Sequence, residues 1–538
     1  MWISSFFVCD VFRQIWNGLT LPVDISALLF LRLHCFLSGV GVLSTDRMTW
    51  RPQYHSSKYR HVFGKPASKE NCYDGVPITQ SVHDNHLCAV NPRFIAVITE
   101  CAGGGAFLVL SINHTGKVNP HHPKVSGHRG NVLDIKWNPF NDFRIASCSE
   151  DTTVKVWDIP DIEALRIITV PWKELQGHSR RVSLIEWHPT ANNIIFSAGY
   201  DYQVLVWKLD VPEQVIKNPV RCISVHSDVV LSMSFNTDGS RLATSCKDKK
   251  IRVIDPRSGV LLQESDSKTH KASKVLFLGN LHMLLSTGNS LYNHRQIALW
   301  DLKKDLSQSS YSEDLDGSSG VLFPFYDPDT HMLYIAGKGD GNIRYYEISS
   351  EKPYVHYLTE YRSPVPQKGI GVMPKRGLDV CSCEIFRFYK LVTAKSLIEP
   401  VSMIVPRRSD SYQEDIYPLT AANRAALTAD EWISGRDKGP EMVSLRPGSE
   451  LDSSAEHSHD PDCLDGPRAS PDEDRSSTSH ISNGELDSAP ETEQEIRQLF
   501  YKQQEEIRRL KEQLLQKDTQ IKQLELEIRN QRNSRDTL

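Results

Sequence analysis

The chain between positions 127 and 158 reads Gly127-His128, then Val132-Leu133-Asp134-Ile135-Lys136-Trp137-Asn138-Pro139, then Ile145-Ala146-Ser147-Cys148-Ser149-Glu150-Asp151, then Val154-Lys155-Val156-Trp157-Asp158. Fifty residues on, the same text returns: Gly177-His178, the run 182–187, His188-Pro189, Phe196-Ser197-Ala198-Gly199-Tyr200-Asp201 and Val204-Leu205-Val206-Trp207. From His to the closing Trp is 29 positions in both copies. Alternating apolar runs split by an Asn-Pro or His-Pro turn read as strands. The Asp falls in the next tight turn, where a carboxylate can hold backbone N–H groups. A fixed period of this kind marks a stacked or radial repeat.

The recurring polar residues fit a single chain of hydrogen bonds. Trp157 can donate to Ser147, Ser147 to His128, and His128 to Asp151, each group having the donor or acceptor required. His178, Ser197, Asp201 and Trp207 repeat it, with Asp four after Ser and Trp six after Asp both times. The same frame finds His226, Thr244 and Asp248, with Ile254 in the Trp position, and then His270 and Trp300 with the middle pair blurred. These residues read as blade-locking groups rather than as a catalytic dyad or metal ligands, since a satisfied buried network rigidifies its surroundings. Gly-His…Trp-Asp at this period is the pattern of a WD40 blade, so the fold class expected is all-β, a seven-bladed propeller.

Working outward, the repeats fall at about 83–115, 128–160, 178–210, 226–258, 270–303, 321–350 and 365–405, near the period expected for such units. Residues 57–63 (Ser-Lys-Tyr-Arg-His-Val-Phe) read as an edge strand that pairs into the last blade and closes the ring. The globular part, 48–405, has its natural start at Met48. Residues 1–47 read as a leader foreign to it, with a weak membrane or targeting segment as the alternative; Arg32 and His34 break the apolar run. The trio Gly103-Gly104-Gly105 lacks the Lys-Ser/Thr of a phosphate loop and lies between strands, so it reads as a hairpin turn.

After the ring, residues 406–440 keep aromatics such as Tyr412 and Trp432 and read as an extension packed on the propeller. Residues 441–490 shift to Ser, Asp, Glu, Pro and Gly, an acidic disordered linker. A helix over 491–530 carries Phe500, Ile507, Leu514, Ile521 and Ile528 at one heptad position and Leu510 and Leu524 at the other, with Gln503 and Lys517 between. That seam argues a coiled coil that brings copies of the chain together.

Over 538 residues the net charge is −5, which argues against a whole-protein nucleic-acid binder. The eleven cysteines show no Cys-x-x-Cys pair, and Cys381-x-Cys383 alone is a poor zinc signal. Cys148 and Cys246 fall in strand patterns as small hydrophobes, and the odd, unpatterned set suits a reducing compartment. No metal, cofactor or catalytic residue is expected, and the chain does not read as an enzyme.

Several stretches carry a family resemblance: 57–64 (Ser-Lys-Tyr-Arg-His-Val-Phe-Gly), 88–94 (Cys-Ala-Val-Asn-Pro-Arg-Phe), 247–257 (Lys-Asp-Lys-Lys-Ile-Arg-Val-Ile-Asp-Pro-Arg), 373–380 (Met-Pro-Lys-Arg-Gly-Leu-Asp-Val) and 404–410 (Ile-Val-Pro-Arg-Arg-Ser-Asp). Together with the layout of ring, extension, linker and terminal coil, they resemble the coronins over residues 50–440 and again in the coil. The resemblance implies actin-filament binding and cytoskeletal organisation by a homo-oligomeric scaffold in the cytoplasm, with a nuclear pool left open. In type-1 members an Arg important for filament binding follows the stretch matching 72–76; here that position is Pro77, without charge or backbone N–H. The family's trimer pattern in the coil is half present, at Gln520 and Glu525, and leaves dimer, trimer and tetramer open.

Candidate contacts for an acidic filament are Lys58, Arg60, Lys65, Arg180, Arg181, Lys247, Lys249 and Lys250, with Lys375 and Arg376 beside them. Lys58 and Arg60 lead on strand placement and signature match. A second reading, a propeller adaptor in a nuclear regulatory or trafficking complex without actin, is favoured by Pro77 and the acidic linker.

Overall fold

The computed structural model describes residues 56–100, 104–160, 166–265, 270–409, 411–448 and 508–509. The leader 1–47, linker residues 449–490 and the coil positions Phe500, Ile507, Leu510, Leu514, Ile521, Leu524 and Ile528 lie outside the described residues.

Seven sheets follow one another among the described residues. Their first strands are Cys88–Val90, Val132–Trp137, Val182–Trp187, Val230–Phe235, His270–Phe277, Leu322–Asp327 and Gly369–Val372. Gly369–Val372 packs against Cys88–Val90, which brings the seventh sheet back to the first and makes a ring. Strands such as Phe94–Ile98 and Val204–Lys208 are apolar on both faces because a neighbouring blade covers each side, and the residues 94–98 and 204–207 are all buried. The indoles of Trp137 and Trp187 donate to the preceding inner strand, at Ala89 O and Lys136 O, both 3.0 Å.

In each blade the three inner strands form an antiparallel meander, so the ring has two faces. The upper carries the turns between second and third strands and the connections into the next blade. The lower carries the turns between first and second and between third and fourth strands. Gly104 and Gly105 lie in such an upper turn with φ of +69° and +77°. A Cβ on Gly105 would stand 2.2 Å from the His128 carbonyl oxygen, which explains the glycine without any phosphate.

The sequence frame differs from the blade by one strand. In the second blade Val132–Trp137, Arg144–Ser149 and Thr153–Asp158 are followed by an outer strand, Lys173–Gln176, that ends just before Gly177-His178. The interval 128–160 therefore cuts the blade short, as do the other intervals but the seventh, 365–405, which holds Gly369–Val372, Glu384–Val392 and Leu397–Ile404. The Gly-His pair opens the connection into the next blade.

Ring closure is correct in partner but shifted in position. The strand is Phe63–Pro66, antiparallel to Leu397–Ile404, with Phe63 opposite Ile404 and Pro66 opposite Val401. Residues 57–62 are not strand. Val62 N donates to Tyr59 O at 3.1 Å, closing a turn, because Tyr59 and Val62 are both buried anchors beside Phe323 and Tyr345. Tyr345 Oη then donates to Val62 O at 2.7 Å.

The segment after the ring crosses the lower face. Tyr417 Oη donates to Glu384 O at 2.9 Å on blade seven. Leu427 bridges Ala191 on blade three, and the short helix Ala429–Ile433 follows, capped by Thr428 and Glu431 in a reciprocal box. Trp432 is buried against His188 and Phe196, with ring centroids 4.8 and 6.1 Å away. The strand Met442–Val443 pairs with Thr420–Ala421, so ordered structure runs past the expected boundary at 440.

Candidate functional sites

The blade networks come first because they set the turns that carry surface charge. In blade two Trp157 Nε1 donates to Ser147 Oγ at 2.8 Å, Ser147 Oγ lies 2.8 Å from His128 Nε2, and His128 Nδ1 lies 2.9 Å from Asp151. Blade three gives 2.9 Å for Trp207 to Ser197, 2.8 Å for Ser197 to His178 and 3.0 Å for His178 to Asp201. Burial pushes both carboxyls up, but the imidazoles and the N–H groups of Arg129 and Ser179 outweigh it and hold them below the usual carboxylate range. The order Ser-His-Asp is that of a hydrolase triad. Here the Ser147 and Ser197 side chains are fully buried and each Oγ already accepts an indole N–H, so neither can attack a substrate.

The other blades depart from the frame. His226 Nε2 meets Thr244 Oγ1 at 2.9 Å, but Asp248 does not reach His226. Asp248 instead pairs with Arg252 at 2.6 Å and accepts from Ser227, and His226 Nδ1 is buried without a partner. The expected third lock is thus half built, because Arg252 is a stronger partner for the carboxylate than a neutral imidazole. In blade five the blurred pair is Ser286 and Gln296. Trp300 donates to Ser286 at 2.8 Å, Ser286 meets His270 at 2.9 Å, and Gln296 Oε1 stands 2.7 Å from His270 Nδ1.

The basic candidates do not form one patch. Lys58 and Arg60 lie on the lower-face turn, where Lys58 Nζ donates to Asp415 O of the crossing segment at 3.1 Å. Lys65 is exposed on the outermost strand of blade seven. Arg181 lies over the Tyr200 ring at 3.8 Å and 3.7 Å from Glu150. Lys250 pairs with Glu264 at 2.6 Å, Lys375 with Asp327 at 2.5 Å, and Arg376 with Asp142 at 2.5 Å. Arg180, Lys247 and Lys249 remain, exposed on the upper rim without an ion pair among the described residues. Arg129 and Lys271 share that rim and that state. Each directly follows a lock histidine, His128 or His270, a spacing from which they could have been read. Pro77 is exposed on the same face, its carbonyl accepting from Glu100 N at 2.9 Å.

The central channel is the other polar feature. Four inner strands are bulged at one level, between Val132 and Asp134, Val182 and Leu184, Val230 and Ser232, and Ala272 and Lys274. A bulge re-aims the next side chain, and Asp134, Leu184, Ser232 and Lys274 all line the channel waist. Above it the connection into blade one acts as a plug. Asn85 Nδ2 donates to Leu133 O at 2.9 Å and Ser183 O at 2.8 Å, while Lys338 Nζ holds Val82 O, His83 O and Asp84. Below it lies a cavity of about 720 Å³. Among the described residues no cluster of His, Cys, Asp and Glu could hold a metal ion, and no helix is long and apolar enough to cross a membrane.

Comparison with known proteins follows this anatomy. A family described as a domain of unknown function (DUF1899) matches residues 52–117, the WD domain, G-beta repeat matches 121–158, 169–208 and 217–255, and a type of WD40 repeat matches 398–440. Coronin-2A of Homo sapiens is 62% identical over 523 residues, spanning 90% of this chain and 99% of its own length. Coronin-2B of Mus musculus is 59% identical over 495 residues, spanning 91% and 99%. The crystal structure of the WD40 domain from Toxoplasma gondii coronin superposes with a TM-score of 0.66 at 28% identity, covering 72% of this chain and 98% of that domain.

Proposed function

The chain belongs to the coronin family, and from that premise we propose that it is an actin-filament-binding WD-repeat scaffold, without enzymatic activity, that works in the cytoplasmic cytoskeleton as a homo-oligomer. The observation that carries this reading is the upper-rim arc of Arg129, Arg180, Lys247, Lys249 and Lys271, five exposed cations without ion pairs among the described residues. An acidic filament can engage such charges without first breaking an internal pair, and long-range attraction of this kind weakens with salt. Lys58 and Arg60 rank behind this rim in the proposal, since both lie on the lower-face turn and the Lys58 ammonium is held by Asp415 O of the crossing segment. The coil would join several rings, so that weak contacts act together.

The test is filament co-sedimentation of the full chain at low and moderate salt, beside the Arg180→Glu, Lys247→Glu, Lys249→Glu triple variant and a form ending at 490. Loss of pelleting in the triple variant and a weaker, more salt-sensitive response without the coil are expected. Unchanged pelleting of the triple variant at low salt removes this rim from the site.

Pro77 favours a second reading, a propeller adaptor for partners other than actin. It places an uncharged ring on the same rim. Partner capture that persists after actin depolymerisation, with no pelleting of the full chain, would select it.

A further inference from the structure

The channel holds a buried cation, Lys274, that makes no ion pair with any of the described residues. The other charges lining the cavity below the waist are paired or stand at its rim. Lys136 pairs with Glu186 at 2.7 Å, Lys375 with Asp327 and Arg376 with Asp142, while Asp329 lies beside Thr420 at the lower mouth. Asp134 accepts from the N–H groups of Ile135 and Ile185 at 3.1 and 3.2 Å. Lys274 has one hydrogen bond, to Leu231 O at 3.2 Å, and no ion pair among the described residues, although it is only 8% exposed. Beside it His86 Nδ1 is enclosed without a hydrogen-bond partner.

A buried ammonium in this state is costly, and a ligand that brings the missing charge gains from removing that cost. The cavity has the volume typical of small-molecule sites, about 720 Å³. Its walls pair this polar end with apolar surface from Met233, Phe325 and Phe386. We propose that the cavity binds a small organic anion, a carboxylate or phosphate monoester seated on the Lys274 ammonium with its apolar body against Met233, Phe325 and Phe386.

Burial pushes the Lys274 ammonium down to about 8. The charges facing it are Asp134 and Lys136 from blade two, Asp84 from the plug and Lys338 from blade six, with neutral His86 alongside. A bound anion favours the charged form, so affinity should fall as Lys274 deprotonates.

Trp137 and Trp187 line the same cavity and report on it. The full chain is titrated with phenyl phosphate and with phenylacetate, with benzyl alcohol as the neutral control, following tryptophan fluorescence. A saturable change with at least one anion is expected, and the stronger of the two identifies the headgroup. Binding should weaken by about tenfold or more in Lys274→Met and by a similar factor between about pH 7 and about pH 9.5 in the unaltered chain. No saturable change with either anion, an equal response to benzyl alcohol, or equal binding by Lys274→Met would overturn the proposal. If that variant fails to fold, the pH series decides: affinity that does not fall by about pH 9.5 overturns it as well. None of these outcomes depends on actin binding.

Discussion

Replacing Ser197 by Ala tests the blade lock at its centre. The hydroxyl joins two buried groups, accepting from Trp207 Nε1 at 2.9 Å and meeting His178 Nε2 at 2.8 Å. Its residue is fully buried, so water cannot take its place at the surface, and one lost oxygen leaves too little room for a water inside. Two polar nitrogens are left bare at about 1–3 kcal/mol each, which sums to about 2–6 kcal/mol. Thr244→Val in blade four is the matched comparison. Thr244 meets only His226, at 2.9 Å, and has Ile254 where the indole would be. That variant keeps the side-chain shape and bares one nitrogen, for about 1–3 kcal/mol. Urea unfolding followed by tryptophan fluorescence gives both values from the midpoints, provided the slopes agree. Equal losses in the two variants, or a loss below about 1 kcal/mol for Ser197→Ala, would refute the claim that the indole–hydroxyl–imidazole chain locks the blade.

Trp432→Ala should cost about 3–5 kcal/mol and expose residues 420–443 to protease, whereas Trp432→Phe should cost much less, since the indole N–H is buried without a partner; equal protease resistance in wild type and Trp432→Ala would count against the segment's anchoring role. His188 and His226 are both pushed down to about 4, chiefly by burial. A depressed folded-state value means the unfolded chain takes up more protons, so stability present above about pH 6.5 is lost as pH falls towards about 4, by on the order of 3 kcal/mol per group. Urea midpoints measured across that window should fall, and by less in His226→Gln; a flat profile would contradict it. Pro77→Arg places a cation on the upper rim and should tighten filament binding by about 1–3 kcal/mol; co-sedimentation no better than that of the parent chain would show that this position lies outside the contact.

The repeat was legible because blades two and three keep every member of the network at constant spacing. Blade five hid its lock for a geometric reason: its hairpin strands, Met283–Ser290 and Arg295–Asp301, are longer, so Ser286 and Trp300 stand 14 positions apart rather than the 10 of blades two and three. In blade four the spacing was kept but the bonding was not, because spacing cannot say that Asp248 prefers Arg252. The basic candidates are a different case. Charge is visible in a sequence, but its pairing is not: Lys375 and Arg376 are neutralised by Asp327 and Asp142, far along the chain, and Lys250 by Glu264 on the next strand. The channel was illegible throughout, since a bulge that turns Lys274 inward leaves no mark on composition or period.

The strand Phe63–Pro66 has its partner in Leu397–Ile404, almost the whole ring away along the chain. On a ribosome adding about 5–20 residues per second, it must wait tens of seconds for that partner to emerge. Throughout that interval an early strand with unpaired amides sits on a growing stack of half-finished blades, a form prone to pairing with other nascent chains. Synthesis of this protein should therefore lean on chaperones that shield strand edges, and translation that stalls before residue 397 should yield chains that cannot close at all.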